Sequence, residues 1–194
     1  MPQPRRERRD YVLHLEPGPC IVRPWREDDA ASLVRHANSL AVSQNLRDEF
    51  PHPYTQVNAT QFLVRAVKTD PPQDFALVVG GEAVGGIGYG VRSDAQHSGV
   101  ELGYWLHESY WGRGIATATV RAVTDLVFSV NASVDRIYAL SFVWNAASAR
   151  VLEKAGYTLE RTIHEGAVKQ GRPSDQFLYA VVRQQWETRH DADR

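Results

Sequence analysis

Apolar and polar positions along this chain follow two rhythms, one of period two and one near 3.6, and the rhythm switches at successive turn signals. From Cys20 the order Cys-Ile-Val-Arg-Pro-Trp reads as a short strand stopped by Pro24. Asp28 and Asp29 then offer N-caps to an amphipathic helix carrying Ala30, Val34 and Ala37. A loop with Pro51 and Pro53 leads to a second helical run, with Phe62, Ala66 and Val67 on overlapping faces, which ends before Pro71 and Pro72. Positions 75–79 are an apolar run, Gly80-Gly81 is a turn dipeptide, and 83–91 is a glycine-rich strand, so this stretch predicts a hairpin. In the next strand, over 100–106, Val100, Leu102, Tyr104 and Leu106 share one face and Glu101, Gly103 and Trp105 the other.

After a tight loop, Ala116, Val120, Val123, Val127 and Val130 recur at spacings of four and three, one stripe of a long helix. Positions 136–143 read as a strand. Asn145 then caps a helix with an apolar face of Ala147, Val151, Leu152 and Ala155, closed by Gly156. Strands at 157–163 and 177–182 complete the pattern, with Gly171 and Pro173 in the loop between them. The sum is an α/β chain with a largely antiparallel start and one strand-helix-strand crossover in its second half. The expected organisation is a flexible Arg-rich arm and lead-in over 1–19, a folded domain over 20–187, and a frayed tail over 188–194.

Composition narrows the class of function. At about 150 residues per domain, 194 residues make one generous domain, and 43% apolar against 23% charged residues is enough to bury a core. A formal charge of -1 removes the uniform positive field of a dedicated nucleic-acid binder. Arg5, Arg6, Arg8 and Arg9 around Glu7 leave two readings, a solvated terminus or an arm that steers toward an acidic partner such as ribosomal RNA. The single cysteine, Cys20, forbids an internal disulfide and a thiolate metal cage, which points to a reducing cytoplasm. No apolar stretch approaches the roughly 20 residues that span a bilayer.

The densest chemical signal is Tyr110-Trp111-Gly112-Arg113-Gly114-Ile115-Ala116-Thr117, where two glycines open the long helix directly after a strand. Unpaired N–H groups and a positive dipole end make such a helix start receptive to a pyrophosphate, and glycine lets the anion approach the backbone. The plainer reading is a chain turn. No Gly-x-x-x-x-Gly-Lys-Ser/Thr loop occurs, and the dinucleotide fingerprint lacks its third small residue at Thr117 and its acidic residue at the end of the next strand. His107-Glu108 begins like a zinc helix but Trp111 stands where the second His belongs, so no metal is expected. Gly-x-Ser-x-Gly is missing, and Cys20 reads as core.

These residues resemble the GNAT acyl-CoA-dependent N-acetyltransferases, whose pyrophosphate loop reads Gln/Arg-x-x-Gly-x-Gly/Ala at a helix start. Here Trp111-Gly112-Arg113-Gly114-Ile115-Ala116 fits, with Trp in the first place. Together with Gly103-Tyr104-Trp105-Leu106 before it, and Asn145-Ala146-Ala147-Ser148 and Gly156-Tyr157 after it, the pattern is similar to the Rim-type ribosomal-protein N-terminal acetyltransferases. Looser matches lie at Val22-Arg23-Pro24, at 50–55, and at Gly171, Asp175 and Tyr179, so the resemblance spans about residues 20–185.

The resemblance implies a mixed, mostly antiparallel sheet flanked by helices, with two splayed central strands forming the acetyl-CoA cleft. It implies direct attack of a primary amine on acetyl-CoA, the acceptor being a protein N-terminal α-amine or a small amine. Cofactor contacts fall on Trp105, Leu106, Gly112, Arg113, Gly114, Ile115, Ala116, Thr117, Asn145 and Ser148, with a backbone N–H near Leu106 facing the thioester oxygen. Glu101 is the candidate base. Ser148 is the candidate hydrogen-bond donor to the leaving sulfur, because Leu152 stands where many relatives carry a Tyr. His164, Glu165 and Asp175 are further candidates for a base or for acceptor binding, and Tyr54 for lining the acceptor cleft. A ribosomal protein fits as a partner. A membrane or a dedicated nucleic-acid site does not, and a homodimer stays open. Two rivals remain, a CoA-binding regulatory module without turnover and a nucleotide-dependent oxidoreductase.

Overall fold

The computed structural model describes residues 7–15, 20–93 and 98–192. A single sheet of eight strands organises them: β1 (Leu13–Leu15), β2 (Cys20–Pro24), β3 (Asp74–Val79), β4 (Glu82–Ser93), β5 (Ser98–Leu106), β6 (Arg136–Phe142), β7 (Thr158–Lys169) and β8 (Arg172–Val182), in the spatial order β1-β2-β3-β4-β5-β6-β8-β7. Every neighbouring pair is antiparallel except β5 and β6. The helices are α1 (Ala30–Ala37), α2 (Leu40–Ser43), α3 (Gln56–Lys68), α4 (Ile115–Val130), α5 (Ala146–Lys154) and α6 (Arg183–Ala192).

Alternation in β5 sorts its side chains onto the two sheet faces as the sequence predicts. Val100, Leu102 and Leu106 join the larger core with Val120, Val123 and Val127 of α4 and Leu152 of α5. Full burial of each such aliphatic side chain contributes roughly 1.5–3 kcal/mol. Trp105 lies on the opposite face beside the second core, built from Leu33 and Ala37 of α1, Ala59, Leu63 and Ala66 of α3, and Trp25. β4 passes beneath these two indoles only because Gly86 has no side chain, since a Cβ there would sit 2.7 Å from Trp105 Nε1 and 3.1 Å from Trp25. Cys20 is buried in β2, and desolvation pushes its thiol above the ordinary value.

Several expectations need correction. Residues 8–15 are a 3-10 turn and an edge strand rather than part of a flexible arm, because the Arg8 guanidinium donates to the carbonyls of Val67, Thr69 and Trp25, at 2.9, 3.2 and 3.4 Å. Arg8 is thereby committed to the fold, whereas Arg5 and Arg6 lie outside the described residues. The tail is helical through Ala192, anchored by buried Trp186, whose indole N–H donates to Asp125 at 2.6 Å. Tyr54 packs in the second core with burial lifting its phenol to about 12, so it is not a cleft residue. Asp29 does not cap α1 with its side chain. Its carboxylate instead takes both ends of the Arg23 guanidinium at 2.7 and 2.8 Å, with both residues buried.

That last pair sets a stability test. Asp29→Ala leaves a buried guanidinium without its counter-charge and is expected to cost about 3–5 kcal/mol in urea unfolding, whereas replacing both partners by leucine costs less.

Candidate active site

β5 and β6 start side by side and then part. Only Val100 with Ile137 and Glu101 with Tyr138 are in register, after which β5 continues to Leu106 and β6 to Phe142 without pairing each other. The parity of β5 follows from the bond of the His107 N–H to the Val84 carbonyl at 2.9 Å. Odd residues of β5 turn their N–H and C=O groups toward β4, so those of Leu102, Tyr104 and Leu106 face the gap. One of these groups is already partnered, because the Trp111 indole N–H donates to the Leu106 carbonyl at 2.7 Å. Trp105 turns its carbonyl to β4, where it would lie 2.6 Å from a Cβ on Gly85, and packs its ring at a tilt against Phe50, centres 5.5 Å apart.

The helices that follow the diverging strands both begin at the open end of this wedge. Gly112 and Gly114 hold φ of 74° and 77°, a left-handed backbone that other residues adopt at a cost of about 1–2 kcal/mol. Open space surrounds both positions, with no atom within 4 Å of where a Cβ would stand. No side chain caps the N-terminus of α4, which leaves its first N–H groups for a ligand or solvent. Arg113 is exposed beside it with its guanidinium 5.3 Å above the Tyr110 ring, while Ile115, Ala116 and Thr117 are half-buried. At α5 the Asn145 side chain accepts the Ser148 N–H at 3.1 Å, as the sequence predicts. The Ser148 hydroxyl lies 2.9 Å from that of Tyr104.

Behind the glycine turn stands a network that the sequence did not announce. His36 of α1 pairs with Glu82 at 3.0 Å and packs edge-on against His107, ring centres 5.0 Å apart. Ser39 donates to Glu108 at 2.6 Å, and this bond holds the Glu108 carboxyl below its ordinary value. The loop is thereby tied to α1.

The other side of the wedge is assembled from remote segments. Glu101 sits where the strands begin to part, and Arg47, from the loop after α2, donates to its carboxylate at 2.7 Å. The tip of the β7–β8 hairpin docks on the same loop. Lys169 Nζ donates to the carbonyls of Ser43 and Leu46, at 2.9 and 2.8 Å, and lies 2.9 Å from Asp48 Oδ1. The Gln170 N–H donates to Asp48 Oδ2 at 2.8 Å. Beneath this clasp lies a cavity of about 530 Å3 lined by Gln44, Asn45, Lys169, Gln170 and 144–147. Trp144 is 48% exposed and stacks on Phe142 with ring centres 4.4 Å apart. His164, on the bulged outer strand β7, and Asp175, on the adjoining β8, are 2.9 Å apart, with His164 81% exposed. The Glu165 N–H and His164 hold the Asp175 carboxyl below its ordinary value.

With this geometry in place, the relatives are informative. The acetyltransferase (GNAT) domain profile matches residues 20–158. The chain belongs to the GNAT acetyltransferase family. Its mixed α/β fold is shared with the ribosomal-protein-S5-alanine acetyltransferase of Vibrio fischeri, with a TM-score of 0.76 at 21% identity, covering 90% of this chain and 98% of that one. The RimJ of Mycobacterium smegmatis, solved with CoA-disulfide, gives a TM-score of 0.76 at 23% identity, covering 94% and 93%. In sequence, the uncharacterized N-acetyltransferase YoaA of Bacillus subtilis is 30% identical over 102 residues. That match covers 53% of this GNAT chain and 56% of YoaA, so the chain spans about half the length of this curated relative. Among the described residues no group of three or more His, Cys, Asp or Glu is arranged to hold a metal ion, and no helix is long and apolar enough to cross a membrane.

The clasp yields a pH-dependent prediction. The bond from Lys169 and then the Gln170 N–H hold the Asp48 carboxyl below its ordinary range, so the stabilisation is complete above about pH 4 and is lost as pH falls through the lowered value. The Gln170 amide resonance should therefore stay unshifted down to about pH 4 and move only below it. Asp48→Ala should speed hydrogen exchange at 43–48 and 169–171 at neutral pH by about tenfold.

Proposed function

We propose that this GNAT domain transfers the acetyl group of acetyl-CoA to a primary amine, an α-amine at a protein N-terminus in the manner of the Rim-type enzymes or the amine of a small molecule. The observation that carries the reading is the parting of β5 from β6 with the open glycine turn of α4 at its mouth. Backbone N–H groups over Gly112–Thr117 take the pyrophosphate, and Arg113 adds a charged donor. The pantetheine amides then pair with the free edge of β5 as an added strand would, and the Leu106 N–H meets the thioester oxygen as negative charge develops there. Asn145 and Ser148 of α5 face the sulfur end of the arm.

The acceptor chemistry favours an α-amine. At pH 7.5 an amine of pKa about 8 is already about one quarter neutral, whereas a lysine side chain near 10.4 is almost wholly protonated. Glu101, steadied by Arg47, then has only to accept a proton from an amine that readily gives it up, directly or through water. The amine nitrogen bonds to the carbonyl carbon, the carbon–sulfur bond breaks toward sulfur, and no acyl-enzyme forms. Similarity to the S5-alanine and RimJ enzymes supports a ribosomal-protein N-terminus as the acceptor, and a reducing cytoplasm suits the single buried thiol. The pairing of Arg8 within the fold removes one charge from the arm proposed to steer that encounter.

Thioester consumption with N-terminal peptides, lysine peptides and small amines tests the reading, with loss of acetyl-CoA and no acetylated amine as the result against it. Gly114→Glu should weaken coenzyme binding at least about tenfold by setting a carboxylate among the phosphate-binding N–H groups, measured by calorimetry. Glu101→Gln should lower kcat about tenfold or more at pH 7, and the deficit should shrink as pH rises past the amine's own pKa of about 8.

A further inference from the structure

Val100, Leu102, Tyr104 and Leu106 of β5 pack on the side of α4 and α5, and Tyr104 brings a hydroxyl to this otherwise aliphatic set. It stands in the half of β5 that has left β6. Its oxygen is 2.9 Å from Ser148 Oγ and 3.3 Å from the Ser148 carbonyl oxygen. The Ser148 N–H is already committed to Asn145, so the serine hydroxyl is the one group of this residue free to rotate.

Two arrangements of hydrogens satisfy these distances. In the first, Ser148 donates to the phenol and the phenol donates to the Ser148 carbonyl, so both protons are consumed internally. In the second, the phenol donates to Ser148 Oγ and the serine proton swings outward. The second costs little, because the Ser148 carbonyl also accepts the helical N–H four residues on. An anion appearing beside the start of α5 selects the second arrangement, since the outward proton is then hydrogen-bonded to charge.

On the acetyl-transfer reading above, we propose that Tyr104 is a positioning residue whose phenol donates to Ser148 Oγ and thereby aims the Ser148 proton at the departing coenzyme sulfur. No proton crosses the pair. The electron pair of the broken carbon–sulfur bond stays on sulfur, and the acceptor's proton leaves through Glu101 or water. A thiol of pKa about 8.5 needs only a hydrogen bond to depart, while a phenol of ordinary value about 10 keeps its proton. Burial among α4, α5 and β5 lifts the Tyr104 phenol further and so strengthens that retention. The Tyr157 phenol, itself hydrogen-bonded to Thr124 at 2.7 Å, interacts with Tyr104 from the far side, with Asp125 beyond it.

The test uses the full chain with acetyl-CoA and an amine it acetylates, and with free CoA as the probe of the sulfur site. Tyr104→Phe and Ser148→Ala should each lower kcat about tenfold with the KM for acetyl-CoA little changed, and the double variant should be no slower than Ser148→Ala. The pKa of the bound CoA thiol, read from thiolate absorbance, should rise by about one unit in each single variant, and Ser148→Thr should restore it. A role confined to packing moves the melting temperature and leaves the bound thiol where it was, which overturns the proposal, as does a double variant whose loss is the product of the single losses. The two levels fail differently. A wild-type enzyme that binds acetyl-CoA but acetylates no amine overturns acetyl transfer and this role with it, whereas an active enzyme with an unmoved thiol pKa in Tyr104→Phe overturns the role alone.

Discussion

Two residue pairs of parallel ladder hold β5 to β6, and almost everything else about the site follows from their stopping there. Strand edges left unpaired inside a sheet are costly, because their N–H and C=O groups lose water without gaining a partner. Here one of the carbonyls is taken by the Trp111 indole, and the rest open onto a gap whose far end carries the starts of α4 and α5. The sheet is therefore continuous at one end and open at the other. A long ligand with amides along its length can be received by the backbone alone, with few specialised side chains.

The two sides of the wedge are built by different means. The α4 side is a product of local geometry, in which glycines at positive φ and an uncapped helix expose donors within a few residues of one another. Its support comes from a histidine and carboxylate network reaching across to α1. The Glu101 side depends on segments far apart in sequence, drawn together by Arg47 on Glu101 and by Lys169 and Gln170 on the loop after α2. Its charges are matched, Lys169 with Asp48 and Arg47 with Glu101, so the rim offers carboxamides and an exposed Trp144 more than net charge.

Most of the fold was legible because its signals are short-range. The valine stripe of α4, the Asn145 cap and the two-faced pattern of β5 each declare themselves within one element. The glycine turn before α4 was legible for the same reason. What could not be read depended on contacts across the chain. Arg47 and Glu101 are 54 positions apart and Lys169 and Ser43 are 126, and neither pairing leaves a trace in local periodicity. β7 ran longer than its apolar pattern suggested, since an edge strand with mostly exposed positions has no alternation to display. Asp29 had the right chemistry for a cap, but the buried Arg23 offered its carboxylate two charge-assisted bonds. Residues 8–15 pack against the domain, with 13–15 in the sheet, and Arg8 bonds three carbonyls there, a fact invisible in a run of arginines.

Cys20 lies 4% exposed within β2 and is the chain's single sulfhydryl. While the molecule stays folded, a disulfide dye that reports free mercaptan has almost nothing of the protein's own to react with. Colour that grows in such a mixture counts turnovers directly, and slow background labelling would instead record moments when the sheet lets go.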